Sequence, residues 1–117
     1  MNPYTNIYGI FFSPEKRRAS IPVQKKAIKE GKLKPLDEMP CQMCGQTEGI
    51  KAYHCEDYND PVGDATCLCW RCHLMWHSRF RAPQAVFKYI YEVVVLGKQY
   101  PPNYKPDLGI LRRDHGV

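Results

Sequence analysis

The residues with the clearest chemistry are the cysteines and histidines between positions 41 and 77. Cys41 and Cys44 form one C-x-x-C pair, and Cys69 and Cys72 form a second. Two such pairs on either side of a polar, loop-rich segment are typical of a tetrahedral site in which four thiolates hold one zinc ion. The spacing therefore predicts a structural Zn²⁺ ion bound by these four cysteines.

Two further cysteines, Cys55 and Cys67, fall outside this pattern. Cys67 lies just before Cys69, so we expect its side chain to point away from the zinc and to pack in the core as a small apolar group. The six cysteines also allow three disulfides, but paired C-x-x-C spacing favours zinc. The first residues lack the basic and apolar regions of a secretory signal. We therefore expect a reducing, cytoplasmic setting.

The histidines offer a second candidate metal site. His54 follows a short β-prone stretch, and His73 and His77 have the spacing of residues on one face of a helix. With Asp64 near by, they could hold a divalent metal at an open site. The alternative is that His73 and His77 are ordinary helix-surface histidines, and spacing alone does not decide between the two. His115, in the tail, is assigned no role.

The segments around this window have the patterns of supporting elements. Residues 50–53 alternate enough to form a strand, and residues 72–80 have helical character. Ser13 with Pro14, and Ser20 with Pro22, are two helix start signals. They predict a short basic helix and then a second helix that ends near Gly31.

A further amphipathic helix is expected after Pro83, ending at Gly97. Its apolar residues recur on one face, which we assign to the core: Val86, Phe87, Ile90, Tyr91, Val94 and Val95. Residues 98–117 are rich in proline and charge and are predicted to be irregular, wrapped along the surface.

The charge balance favours an anionic partner. The chain has 17 Lys and Arg against 12 Asp and Glu, a net charge of +5, which suits nucleic acid. A lysine-rich helix can serve solubility alone, but the clustering of basic residues before position 35 favours phosphate contact. The candidate nucleic-acid-binding residues are Lys16, Arg17, Arg18, Lys25, Lys26, Lys29, Arg71, Arg79 and Arg81. No apolar run approaches the ~20 residues of a membrane span, so no membrane partner is expected.

Taken together, the motifs resemble those of the HNH endonucleases, the zinc-stabilised branch of the ββα-metal (His-Me finger) nucleases. The resemblance is greatest to a subset common in phage genomes, and it covers residues 24–78. Four matching pieces carry it: A-x-x-x-G-x-L at 27–33, C-x-x-C-G at 41–45, H-C-E-D-Y-N-D-P at 54–61 and L-C-x-x-C-H-x-x-x-H at 68–77. Each piece alone is weak, but the combination is specific.

The resemblance implies a role for each matching residue. The four paired cysteines would hold structural zinc. His54 matches the first motif histidine, which helps to bind the catalytic metal, and His77 matches the histidine that completes that site, with His73 beside it. Asp64 stands where the family has its middle asparagine. The implied catalytic cofactor is Mg²⁺ or another divalent ion, and the implied partner is nucleic acid, with DNA expected.

One motif position departs from the family. Cys55 stands where the family has its general-base histidine, and one extra residue, assigned to Gly63, precedes Asp64. A thiol with an unperturbed pKa of about 8.5 is a poor base, and loss of a general base typically costs ~10²–10⁴ in rate. His54 could itself be the base, with Tyr53 in the metal position, but a tyrosine is a poor ligand for a hard cation.

Two functions of different class therefore stay open. The first is a metal-dependent endonuclease with His54, Cys55, Asp64 and His77 at its catalytic positions. The second is an HNH scaffold without catalysis that binds nucleic acid or a host protein, as a phage-type inhibitor or adaptor. A purely architectural zinc domain would leave the charge and the histidines unexplained.

The expected fold class is α+β, with a small zinc-stabilised ββα-metal core between a basic N-terminal helix and an amphipathic C-terminal helix. We expect one domain over residues 1–117. Within it, residues 1–22 form an arm, 23–81 the zinc-bound core, 82–97 a supporting helix and 98–117 an irregular tail.

Overall fold

The computed structural model describes residues 6–7 and 9–117, and in this part of the chain the fold is α+β. Two short strands pair with each other: β1 spans Lys51–His54 and β2 spans Thr66–Cys69. The helices are α1 at Pro14–Lys29, α2 at Trp70–His77, α3 at Pro83–Ile90 and α4 at Ile110–His115. A 3₁₀ turn covers Leu36–Glu38, and a π-helical segment, Tyr91–Val95, continues α3.

The antiparallel pairing of β1 and β2 sets the geometry of the centre of the fold. Lys51 pairs with Cys69 at one end of the two-stranded sheet, and His54 pairs with Thr66 at the other. α2 begins directly after β2 and packs on both strands. Cys69 is the N-cap of α2, and its Sγ accepts a hydrogen bond from the Cys72 amide at 3.5 Å. α2 therefore starts at the end of the sheet that contains Cys69. Its histidines, further along the helix, lie towards the end that contains His54.

α1 is one continuous helix, where the sequence predicted two pieces separated near residue 22. Ser13 caps it, with its Oγ accepting from the Lys16 amide at 3.1 Å. Pro22 lies inside the helix. Proline leaves the carbonyl of Arg18 without its helical donor, and because this turn is exposed, water can replace the missing bond. The helix ends as predicted, before Gly31, whose φ of 77° suits glycine.

The face that α3 buries differs from the predicted one. Val86, Tyr89 and Val93 are buried, at the i, i+3, i+7 positions of one helical face. Four residues that the sequence assigned to the core are exposed, at 73% for Phe87, 53% for Tyr91, 54% for Val94 and 63% for Val95. The buried face is the one that contains Tyr89, because the Tyr89 hydroxyl contacts Cys72 Sγ at 3.0 Å in the interior.

The tail is more ordered than its composition predicted. α4 buries Ile110 and Leu111 in the main core. Two further contacts tie the preceding segment down: the Trp70 indole donates to the carbonyl of Asp107 at 2.9 Å, and the Ile50 amide donates to that of Asn103 at 2.7 Å. The tail is therefore part of the packed body rather than a surface wrapping.

The core of the fold is small and contains sulfur at its centre. Its buried members are Cys41, Leu68, Cys69, Cys72, Met75, Val86, Tyr89, Val93, Ile110 and Leu111. In the part of the chain that the structure describes, none of the helices has the length and apolar character needed to cross a bilayer.

Candidate metal centre

The first centre is formed by the four cysteines that the sequence paired. Cys41 and Cys44 come from the turn before β1, and Cys69 and Cys72 come from the junction of β2 and α2. Their Sγ atoms all lie within 4.8 Å of one another, and Cys44 Sγ is 3.7 Å from Cys69 Sγ. Tetrahedral zinc with Zn–S bonds of ≈2.3 Å separates its sulfurs by about 3.8 Å. The donor set and the spacing both fit zinc.

The ionisation of these sulfurs also favours a bound cation. Hydrogen bonding from the thiols of Cys44, Cys69 and Cys72 lowers the pKa of Cys41. The same crowding, beginning with Cys41, raises the pKa of Cys72, because four adjacent sulfurs cannot all carry negative charge without compensation. A divalent ion removes that conflict, since thiolate is the form that binds zinc.

Other buried groups pack closely around this centre. Burial raises the pKa of Tyr89, so its hydroxyl stays protonated and can donate to the sulfur of Cys72 at 3.0 Å. Cys67 is fully buried but stands outside the group of four, as the sequence predicted. Its amide donates to the side chain of Gln42 at 2.7 Å, which anchors the first knuckle to β2.

The second centre brings together three histidines from two elements. His54 ends β1, and His73 and His77 lie one turn apart on α2. A nitrogen from each lies within 4.8 Å of the others, and Nε2 of His73 is 2.9 Å from Nε2 of His77. Two imidazoles that share one cation at ≈2.0–2.1 Å place their nitrogens about 3.0–3.4 Å apart. The interpretation of His73 and His77 as ordinary surface histidines is therefore not supported, because both are half-buried and converge with the buried His54.

The environment of the three rings suits a metal. Burial, together with the proximity of His54, lowers the pKa of His73 to about 4. Burial followed by His73 and His54 lowers the pKa of His77 to about 3. Both rings are therefore neutral at physiological pH, which is the metal-binding form. The Nδ1 atoms of His54 and His73 are buried with no hydrogen-bond partner in the described part of the chain.

Glu56 is a residue at this centre that the sequence reasoning missed. Its Oε2 contacts Nε2 of His54, and its two oxygens also accept from Trp76 Nε1 at 3.2 Å, Arg79 NH2 at 2.8 Å and the Ile7 amide at 2.9 Å. Burial opposes its ionisation, but these hydrogen bonds lower the pKa of Glu56 to about 2. Its closeness to His54 in sequence was the one usable signal, since Glu56 lies in the loop directly after β1.

Asp64 and Cys55 lie next to the histidine cluster but outside it. Oδ2 of Asp64 accepts from the amides of Glu56 and Asp57, each at 2.7 Å. It therefore fixes the loop after β1 and is not among the three clustered ligands. Burial, then Asp64, raises the pKa of the Cys55 thiol to about 11. Gln24 Nε2 donates to this sulfur at 3.3 Å.

α1 forms one wall of a cleft above the histidines. The cleft has a volume of about 450 Å³. Its helical lining residues have the i, i+3, i+4, i+7 spacing of one face, and the opposite wall includes two of the clustered histidines and two tyrosines. The lining residues are Arg17, Ser20, Ile21, Gln24, Tyr53, Cys55, Tyr58, His73 and His77.

The nine candidate nucleic-acid-binding residues divide into two groups. Those on α1 and Arg81 are at least partly exposed: Lys16, Arg17, Arg18, Lys25, Lys26, Lys29 and Arg81. Arg71 is instead buried and pairs with Asp114 at 2.9 Å beneath Tyr100. Arg79 is turned towards Glu56. Arg71 and Arg79 therefore have partners inside the protein. Arg71 lies on α2 under the tail, and Arg79, just after α2, lies against the loop after β1.

Comparisons of this chain with protein-family models, with curated proteins and with solved structures return no match. The conclusions about the two centres therefore stand on the geometry described above.

Proposed function

We propose that the protein is a nucleic-acid phosphodiesterase of the HNH kind, dependent on a divalent metal. The observation that carries the proposal is the convergence of His54, from the sheet, with His73 and His77, from α2, on the same strand–helix unit that contributes Cys69 and Cys72 to the four-cysteine centre. The strand–strand–helix order that produces it is the order that the motif resemblance implies. The basic helix α1 forms a wall of the same cleft, where a phosphate backbone would lie.

The donor set favours a transition ion over Mg²⁺ at the histidine centre. Imidazole suits zinc, copper, iron and nickel, whereas Mg²⁺ prefers carboxylate, carbonyl and water oxygens. Oδ2 of Asp64 accepts from two backbone amides and Asp64 is not in the cluster, so the clustered donors are all nitrogen atoms. When bound, a divalent cation stabilises the charge that develops on a scissile phosphodiester. The chain's own part is to hold three imidazoles at the floor of the cleft beneath α1 and to position the phosphate there.

The test is a nicking assay with supercoiled plasmid and zinc-loaded protein, supplied with Ni²⁺, Co²⁺, Mn²⁺, Zn²⁺ or Mg²⁺. We expect nicking with at least one transition ion and less with Mg²⁺. His77→Ala should reduce nicking to background, because it removes a ligand. His115→Ala is the matched control, since His115 lies outside the cluster, and it should retain activity. No nicking with any ion, or nicking that survives in His77→Ala, would overturn the proposal.

Cys55 favours a second candidate function, an HNH scaffold that binds nucleic acid or a host protein without cutting. Cys55 is 3% exposed, and its sulfur lies between the side-chain amide of Gln24 and the carbonyl of Pro61. With a pKa raised to about 11 it stays a thiol at neutral pH, so it cannot act there as a general base. The position that the resemblance assigns to catalysis then contains an inert group.

Cys55→His distinguishes the two candidates. A scaffold that has lost only its base should be inactive as wild type and gain nicking activity with the substitution. An active wild type that changes little in Cys55→His excludes the lapsed scaffold. Gel-shift titrations at several salt concentrations then identify the partner. Contacts to phosphates lose affinity steeply with salt, whereas a protein partner shows a shallower dependence.

A further inference from the structure

The two nitrogens of the His54 ring have different surroundings. Nε2 faces the carboxylate of Glu56, which lies outside the group of three histidines. Nδ1 is buried and has no hydrogen-bond partner in the described part of the chain. The ring centroid of His54 is 5.0 Å from that of His77 and 5.7 Å from that of His73. One side of the ring is thus satisfied by a carboxylate, and the other nitrogen is left without a protein partner.

This asymmetry selects a tautomer. A neutral imidazole carries its proton on one nitrogen only, and the other nitrogen keeps a lone pair. A carboxylate can only accept, so the proton belongs on Nε2, where it is donated to Glu56 Oε2. The lone pair is then on Nδ1, the buried nitrogen without a partner.

The carboxylate of Glu56 is itself fixed by α2 and the segment after it. Trp76 Nε1 donates to Oε2 at 3.2 Å, and Arg79 NH2 donates to Oε1 at 2.8 Å. Trp76 lies on α2, the helix that carries His73 and His77, and Arg79 follows that helix closely. Because it is bound to both, Glu56 sets the position of the strand histidine relative to the helix pair.

We propose that Glu56 is a positioning residue of the histidine metal centre, which holds His54 in the Nε2–H tautomer and leaves Nδ1 to bind the ion. The inference rests on the proposed metal role of the three histidines. It adds a carboxylate–histidine–metal arrangement, in which the outer carboxylate orients the ring and raises its basicity as a ligand. Neither the motif resemblance nor the cysteine spacing assigns any role to Glu56.

The first test is the tautomer of His54 in zinc-loaded protein without a second metal. Long-range ¹H–¹⁵N correlation spectra distinguish the two tautomers of a neutral ring. Wild type should show the Nε2–H form for His54, and Glu56→Gln should shift it towards a mixture of forms. An Nδ1–H tautomer in wild type would overturn the proposal without any reference to metal binding or activity.

The second test is the affinity of the zinc-loaded protein for Co²⁺, followed by the visible absorption of the bound ion. The absence of intense thiolate-to-cobalt bands confirms that zinc stays on the cysteines. Glu56→Gln should weaken Co²⁺ binding by about 10–100-fold, the usual effect of losing an outer carboxylate. Glu92→Gln is the matched control, because Glu92 accepts from the Tyr100 hydroxyl at 2.8 Å, away from the histidines, and it should bind Co²⁺ like wild type.

The outcomes separate failure of this inference from failure of the proposed function. If wild type binds no Co²⁺ beyond the cysteine centre, the histidine metal site fails and the proposed function with it. If wild type binds Co²⁺ and Glu56→Gln binds it equally well, only the role of Glu56 is overturned. A variant that melts earlier but keeps its Co²⁺ affinity identifies Glu56 as a purely structural tie, which also overturns the inference.

Discussion

At the scale of single residues, the partner atoms decide what each cysteine does. Four sulfurs converge to a spacing that fits one zinc ion. Cys67 lies on β2, the strand that also contains Cys69, but it stands outside the group of four and packs as a buried apolar side chain. The Cys55 sulfur accepts a hydrogen bond from the side-chain amide of Gln24, and the pKa of its thiol is raised. The same thiol group is therefore a candidate metal ligand, a core side chain or an inert hydrogen-bonded group according to its neighbours.

Gly49 is a residue whose conformation and surroundings both require glycine. Its φ is +80°, and a Cβ built there would lie 2.5 Å from the carbonyl oxygen of Asn103. Gly49→Ala should therefore destabilise the protein by more than the ~1 kcal/mol that left-handed backbone costs a non-glycine residue, because the tail must also move. Reversible urea unfolding, monitored by circular dichroism, measures the change.

Gly116 provides the matched control for this substitution. Its φ is +69°, but nothing lies within 4 Å of a Cβ built there. Gly116→Ala should cost only the conformational part, about 1 kcal/mol. Equal destabilisation by the two variants would show that the backbone of Asn103 does not pack against Gly49.

The residue-level features differ in how far the sequence could predict them. The cysteine spacing predicted its centre, because a C-x-x-C pair is a local signal that needs no knowledge of the fold. The role of Glu56 could not be predicted in full, because its partners Trp76 and Arg79 are remote in sequence and meet it only after β1 packs on α2. Motif position placed Asp64 near the histidines, but it could not predict that Oδ2 of Asp64 accepts from the backbone amides of Glu56 and Asp57.

At the scale of elements, α1 separates two kinds of surface. Arg17, Ser20, Ile21 and Gln24 lie on the face that lines the cleft. Arg18, Lys25 and Lys29 are exposed, and their spacing of seven and four residues places them on one stripe of the helix. That stripe is adjacent to the cleft-facing side. Nucleic acid in the cleft would therefore have a row of cations along its path.

Removal of this stripe tests whether α1 contacts phosphates. The triple variant Arg18→Gln, Lys25→Gln, Lys29→Gln should weaken DNA binding and reduce the slope of log K against log salt by about three, at ≈0.9 per phosphate contact. Fluorescence anisotropy with a labelled duplex at several salt concentrations measures both quantities. Lys105→Gln, an exposed lysine in the tail, is the control and should leave the slope unchanged. An unaltered slope in the triple variant would place the binding surface elsewhere.

The sequence predicted which helices exist better than it predicted where they begin and end or which of their faces are buried. The sequence indicated the strand near residues 50–53, the helix after the second cysteine pair and the helix that ends at Gly97, but it did not locate β2 at Thr66–Cys69. It divided α1 at Pro22, because proline inside a helix is usually a stop signal, and here the exposed turn tolerates it. It also assigned Phe87 and Tyr91 to the core, because periodicity shows an apolar face but not whether another element covers it.

At the scale of the whole molecule, the cysteine centre is a junction between segments that are distant in sequence. The first knuckle is bound to β2 through Gln42, and the second knuckle begins α2. Tyr89 links α3 to the sulfur of Cys72, and α4 covers the same core with Ile110 and Leu111. Few apolar residues complete this core in the described part of the chain, so an ion held by the four sulfurs would supply much of its cohesion.

The two metal centres should therefore differ in what their loss does to the fold. Structural zinc binds zinc-finger peptides with an apparent free energy of about 10–16 kcal/mol, as large as the whole stability of a typical domain, about 5–15 kcal/mol. Its removal should unfold the chain, whereas an ion on the three histidines adds only the mass-action term set by its concentration. The measurement is a stepwise chelator titration, in which a colour indicator reports released metal and circular dichroism reports folding. We expect the ion on the histidines to be lost early, without unfolding. Release of the cysteine-bound zinc should then coincide with loss of helical signal. A chain that keeps its helical signal and melting temperature after complete zinc removal would contradict the central place given to the four sulfurs.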